Sequence, residues 1–212
     1  LPFVSRGGSK LEKAINDFKI NLAGKTIVDI GSSTGGFTDC ALQNDALKVI
    51  AVDVGKNQFN YKLLENGKVE LHESTDFRNL DANYFKDATL AVIDVSFISA
   101  AKMLPKLNEN LNITEIILLL KPQFECGKEF ADQYRGVVLN PSLHEDIINT
   151  IFKLFNAAGF YPQNITFSPI RGGSGNIEYL VYFNRSENTS YINPHEIVQS
   201  AFSYFNINAR TR

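Results

Sequence analysis

The chain of 212 residues contains no tryptophan, one methionine and only two cysteines, Cys40 and Cys126. Two thiols so far apart exclude a disulfide framework and a cysteine-based zinc site, so both are read as reduced. Long hydrophobic runs are equally scarce. The aliphatic run 116–120 falls far short of the roughly 20 residues that a membrane-spanning helix requires. Nor is there a surplus of one charge. The 21 Lys plus Arg against 23 Asp plus Glu leave a net charge of −2, which excludes the uniformly basic face of a stand-alone nucleic-acid binder. Any polyanion must then be held by a local patch or a separate module. The histidines His72, His144 and His195 show no ligand spacing. No metal site is expected, and each is read as a surface or capping histidine. These absences together point to a soluble cytoplasmic protein with no membrane role.

What is present is an alternation of strand-length apolar runs with segments of helical period, the pattern of an α/β fold built from βαβ crossovers. The expected strands are 26–30, 48–53, 69–71, 90–94, 115–120, 161–167 and 177–183. A capping box is expected at Ser9 and Glu12, ahead of a helical face formed by Leu11, Ala14, Ile15 and Phe18. Ser142 and Glu145 repeat that spacing before Ile147, Ile148, Ile151, Phe152, Leu154 and Phe155, with Gly159 as the stop. Asn193 and Pro194 open a final helix reaching about residue 205. The stretch 123–140 has little periodicity and reads as a long functional loop.

The first strand runs directly into Gly31-Ser32-Ser33-Thr34-Gly35-Gly36-Phe37 and then a helical segment. Glycines at a strand-to-helix turn let a ligand approach the backbone, and the helix start offers free amides for an anionic group. Asp53, about 20 residues downstream at the end of the second strand, is placed to accept the two hydroxyls of a ribose. Serines and threonine fill the turn, so the dinucleotide fingerprint is absent. Asp29, just before the turn, suits a charged amino-acid moiety better than a pyrophosphate. The combination predicts S-adenosylmethionine (SAM), held by Asp29, Gly31, Ser32, Ser33, Gly35, Gly36, Phe37, Asp53 and Asp94. Asp76 has two readings, acceptor for the adenine amine or cap of a loop.

Asp94 ends a buried strand and Lys121 ends the next. In open α/β sheets the ligand crevice lies beyond the carboxyl ends of the strands, so both belong in it. A salt bridge at a sheet edge is the plainer alternative.

Five segments carry a resemblance. They are Val4-Ser5-Arg6-Gly7-Gly8-Ser9-Lys10-Leu11, Asp29-Ile30-Gly31-Ser32-Ser33-Thr34-Gly35-Gly36-Phe37-Thr38-Asp39-Cys40, Asp94-Val95-Ser96-Phe97-Ile98-Ser99, Leu120-Lys121-Pro122-Gln123-Phe124-Glu125 and Gly175-Asn176-Ile177-Glu178. In this order they resemble the hemolysin A/TlyA family of FtsJ-like ribose methyltransferases. The resemblance implies a Rossmann-like methyltransferase fold, with a seven-stranded, mostly parallel sheet and helices on both faces. It implies a SAM-dependent transfer to ribose 2′-hydroxyls of ribosomal RNA, with ribosomal RNA or ribosomal subunits as partners. It also implies a catalytic tetrad whose matching positions are Lys10, Asp94, Lys121 and Glu178. Residues 1–212 are expected to form one such domain, without the small N-terminal RNA-binding domain of the family.

Within the tetrad Lys121 is the expected base, its neutral form favoured by the nearby cation Lys10, while Asp94 and Glu178 orient the ammonium groups. Two rivals differ in class. A membrane-active hemolysin has no spanning segment or cationic amphipathic helix to support it. A small-molecule methyltransferase fits the near-neutral charge. Against it stand Lys10, Lys121, Arg6 and Arg171, which read as holders of phosphates or, for the arginines, as plain surface residues.

Overall fold

All seven expected strands are present and join in one sheet of order β3-β2-β1-β4-β5-β7-β6. The computed structural model describes residues 1–133, 135–188 and 190–208. In chain order the elements are α1 (Gly7–Phe18), β1 (Thr26–Ile30), α2 (Gly36–Gln43), β2 (Lys48–Val52), β3 (Val69–His72), β4 (Leu90–Ile93), α3 (Leu104–Leu107), β5 (Glu115–Leu120), α4 (Pro122–Glu125), α5 (Lys128–Gln133), α6 (Pro141–Ala157), β6 (Tyr161–Phe167), β7 (Tyr179–Asn184) and α7 (Pro194–Tyr204). The strands β3, β2, β1, β4 and β5 run parallel, and β7 returns antiparallel between β5 and β6. This is the Rossmann-like methyltransferase architecture.

Every residue of β1 is buried, yet the period of two survives, because alternate side chains enter different cores. Val28, Ile30, Ile50, Val52, Ala91 and Ile93 belong to a core shared with Phe77, Phe85, Met103 and Leu104 and, farther along the sheet, with α6 and α7, where Phe155 stacks on Phe183 at 4.3 Å. Loss of such a buried ring costs about 3–5 kcal/mol. Ile27, Val49, Leu90 and Val92 face the other way, against Leu11, Ala14 and Ile15 of α1 and Phe37, Cys40 and Ala41 of α2. Cys40 is a free thiol, and burial pushes it up to about 12, so it is chemically quiet. Cys126 is also free and buried.

Several helix signals resolve differently from expectation. Helix α1 begins at Gly7, so Ser9 and Glu12 form no capping box, and its N-cap Arg6 makes no side-chain cap. Packing decides this start: a side chain on Gly8 would meet Phe3 at 2.4 Å, which shows how tightly the first turn sits on that ring. Helix α6 is capped by Asn140, which accepts from the Leu143 amide, rather than by Ser142. Pro141 occupies the first helical position and leaves the residue before it as the cap. Leu154 of that helix is 45% exposed. The expected loop 123–140 contains α4 and α5, and Tyr134 within it lies outside the described residues. Asn193 caps α7 as expected.

His144 is a further correction. It is fully buried, with Nδ1 2.8 Å from the Tyr179 hydroxyl and Nε2 2.8 Å from the Val138 carbonyl. Burial lowers its pKa to about 4, so it stays neutral.

The sheet order places a topological switch between β1 and β4. The chain leaves β1 toward β2 and β3, then returns to β4 on the other side. The loops after β1 and β4 therefore diverge, and a crevice opens at their carboxyl ends.

Candidate active site

The turn after β1 is fixed by its neighbours. The amides of Gly31 and Ser32 donate to the Val52 carbonyl at 2.9 and 3.1 Å, and the Ser33 amide donates to Asp53 Oδ2 at 2.7 Å. Gly31 has φ +83°, and a Cβ there would lie 2.1 Å from the backbone oxygen of Asp94. Only glycine allows this approach, which brings the turn directly against the start of the β4 loop. Gly35, with φ +99°, ends the turn, and a side chain there would strike Leu63 and Phe59.

A cavity of about 260 Å³ opens over this turn. One wall is Gly31, Ser32, Ser33, Thr34, Gly36 and Phe37, with Asp94 beside them; the other is Ser5, Arg6, Gly7 and Lys10 with Ile170, Arg171 and Gly173. The four tetrad positions form two ion pairs, each with one member, Asp94 or Lys10, lining this cavity. Lys121 Nζ lies 2.5 Å from Asp94 Oδ1 and donates to Ser96 Oγ at 3.1 Å. Lys10 Nζ donates to Glu178 Oε1 at 2.9 Å. Each ammonium thus faces its own carboxylate. Glu178 is 2% exposed, and its Oε2 has no partner. The loops after β4 and β5 are tied a second time, by Glu125, which accepts from the Ala100 amide at 2.8 Å.

The remaining sequence candidates divide. Asp53 sits beneath the turn with both oxygens accepting backbone amides, from Ser33 and from Gly55. Asp76 shows the capping role of its two readings: it accepts from the Arg78 amide, and the Arg78 guanidinium folds back on it at 2.7 Å. It does not reach the cavity wall. Sequence reasoning missed Ser96 and Thr38, short side chains whose importance is purely positional. It also gave no role to Phe97, which is 86% exposed with φ +70° and packs 5.0 Å from Phe124 beside Lys121. No group of three or more His, Cys, Asp or Glu among the described residues could hold a metal ion.

Asp29 is fully buried under the turn, accepting from Thr38 Oγ1 at 2.7 Å through Oδ2, while Oδ1 has no partner. Burial pushes its carboxyl from an ordinary 3.8 up to about 7; the Thr38 hydrogen bond opposes this, and the charges of Asp94 and Asp53 add to it. Because the folded value is raised, the stability tied to the protonated form is complete below pH 3.8 and is lost as pH rises toward 7. Asp29→Asn keeps the acceptor for Thr38 without the charge. In the ligand-free protein it should be more stable than the parent at pH 8, by on the order of a few kcal/mol, with a smaller advantage at pH 5. A melting difference that is the same at both pH values would show that Asp29 does not carry this cost.

A family profile described as FtsJ-like methyltransferase matches residues 3–185. YqxC of Bacillus subtilis is 45% identical over 185 residues, covering 86% of this chain and 66% of that protein. TlyA of Campylobacter jejuni, a 23S rRNA (cytidine-2′-O)-methyltransferase, is 39% identical over 181 residues, covering 85% of this chain and 70% of that one. A solved structure of a hemolysin candidate from Streptococcus thermophilus superposes with a TM-score of 0.91 at 40% identity, covering 97% of this chain and 76% of that one. The chain thus spans about two thirds of the length of these curated relatives. No helix among the described residues is long and apolar enough to cross a membrane.

Proposed function

The chain belongs to the FtsJ-like methyltransferase family, and we propose that it is a cytoplasmic enzyme that methylates the 2′-hydroxyl of a ribose in ribosomal RNA, alone or within a ribosomal subunit. The observation that carries this reading is the Lys121–Asp94 pair at adjacent strand ends, directly against the Gly31 turn. We read residues 1–212 as one catalytic domain of this kind.

The cavity suits S-adenosylmethionine. Asp29 Oδ1 and Ser32 Oγ are buried oxygens without partners at the turn, and buried acceptors of this kind are costly unless something fills them. Asp94 lines the cavity and Asp29 and Asp53 lie just behind the turn, carboxylates suited to a ligand bearing a sulfonium and an ammonium. Asp29, Gly31, Ser32, Ser33, Gly36 and Phe37 would hold its amino-acid half and Asp53 its ribose, with Gly35 shaping the turn. When bound, it supplies an electrophilic methyl group on a sulfur that departs as a neutral thioether.

The chain's own residues supply the rest. Lys121 takes the proton from the acceptor hydroxyl as the oxygen–carbon bond forms, and Asp94 and Ser96 hold the amine in place. Lys10 and Glu178 fix the wall against which the ribose rests. Such alignment is most of what an in-line displacement asks of a protein. The exposed Phe97, packed on Phe124 beside Lys121, offers the stacking surface that an unpaired base uses. This favours RNA over a small acceptor.

The test is incubation with tritiated SAM and bacterial ribosomal RNA or subunits, followed by alkaline hydrolysis. A 2′-O-methyl group blocks cleavage at its own phosphodiester, so label is expected in alkali-resistant dinucleotides. Label in mononucleotides, or none in RNA, would overturn the reading.

A further inference from the structure

The cavity is electrostatically divided. Asp94 is the one carboxylate among its lining residues and is paired with Lys121, while Asp29 and Asp53 lie behind the turn. Its opposite wall is cationic: Arg6, Lys10 and Arg171 all line it. Lys10 is neutralised by Glu178, but among the described residues no carboxylate pairs with either arginine. Arg6, as N-cap, stands four residues before Lys10, so both project from one face of α1. Arg171 is aimed by its own loop: its Nε donates to the Gly175 carbonyl at 2.6 Å. The next residue, Gly172, lies against Glu178, where a Cβ would come within 2.6 Å of the Oε1 that Lys10 also contacts. Both guanidiniums therefore border the acceptor side of the tetrad.

The donor brings one carboxylate, for which the start of α2 offers free amides, so the cationic wall has room for a second anion. The acceptor supplies one. In RNA the carbon bearing the 2′-hydroxyl is bonded to the carbon bearing the 3′-phosphodiester, so placing the hydroxyl at Lys121 necessarily places a phosphate nearby. Guanidinium groups bind phosphates through paired, charge-assisted hydrogen bonds. We propose that Arg6 and Arg171 clamp the internucleotide phosphate on the 3′ side of the acceptor ribose. This rests on the reading of the acceptor as RNA, and it makes the site selective for a ribose within a chain over a free nucleoside.

The test is a thermodynamic cycle between protein and RNA. Once the methylated nucleotide is mapped, an RNA fragment containing it is prepared with either the natural phosphate or a neutral methylphosphonate at its 3′ linkage. Arg171→Gln and Arg6→Gln are each expected to weaken binding of the natural fragment about tenfold and to lower the salt slope by about 0.7 per charge removed. Arg171→Lys should recover only part of this. The neutral linkage should weaken the parent enzyme similarly and add little to the arginine variants, because the same contact is already gone. Independent, multiplying losses would overturn the clamp while leaving the RNA reading intact. Arginine variants that bind RNA normally but SAM about tenfold more weakly would overturn it in favour of the donor carboxylate. If the parent methylates no RNA, the functional reading fails first and the clamp falls with it.

Discussion

Lys121→Ala is expected to bind SAM almost as the parent does and to transfer the methyl group about two to four orders of magnitude more slowly. A neutral amine has two hydrogens and one lone pair. Lys121 Nζ donates to Ser96 Oγ at 3.1 Å and lies 2.5 Å from Asp94 Oδ1 in an ion pair, and these two contacts hold the amine where its lone pair can meet the incoming hydroxyl. Asp94 is 23% exposed, so water can solvate it when the lysine is removed, and the variant should fold. Lys121→Arg should not restore transfer, because a guanidinium stays protonated and has no lone pair to offer. Single-turnover measurements, with calorimetry for SAM, separate the two steps. A Lys121→Arg enzyme near the parental rate would reduce Lys121 to an electrostatic or positioning residue.

Asp94 and Lys121 were legible from sequence because a buried strand that ends in a charge has one place to put it, the crevice beyond the carboxyl edge of the sheet. The turn from Gly31 to Gly36 was legible for a similar reason: glycines between a strand and a helix have few other uses. Lys10 and Glu178 were not readable in that way. They are separated by 168 residues, Lys10 sits in the first turns of an ordinary amphipathic helix, and only the family resemblance joined them.

Other signals were present and decided by competition. His144 falls on the stripe with Ile147, Ile148, Ile151 and Phe155, so its burial was encoded in the helical period. What could not be read was that Tyr179 and Val138 would satisfy both of its nitrogens. Asp76 carries the same residue type as Asp53 but lies four residues past β3, whereas Asp53 follows β2 directly, and the arginine two residues later occupies its carboxylate. The two capping boxes failed because capping is exclusive: one residue per helix start can take the role, and packing of Phe3 or the fixed φ of Pro141 chose another.

The Lys10–Glu178 pair leads to a prediction in which stability and activity part. Glu178 is 2% exposed with one oxygen already lacking a partner, so its charge depends on the 2.9 Å contact to Lys10. Breaking a buried pair from one side leaves an uncompensated charge and costs about 3–5 kcal/mol. For a protein of this size that corresponds to roughly 10 °C in Tm for Lys10→Met. Replacing both partners, as Lys10→Met with Glu178→Gln, removes the stranded charge and should recover most of that loss, since neutral substitutes for a buried pair are often tolerated. Methyl transfer should not recover, because neither the cation nor the carboxylate at the ribose wall has been restored. Calorimetric melting and single-turnover transfer on the parent and these two variants resolve the two effects. If Lys10→Met melts like the parent, the pair does not hold α1 to the segment leading into β7. If the double variant regains the parental transfer rate, Lys10 and Glu178 serve packing alone, and the chemistry belongs to Asp94 and Lys121.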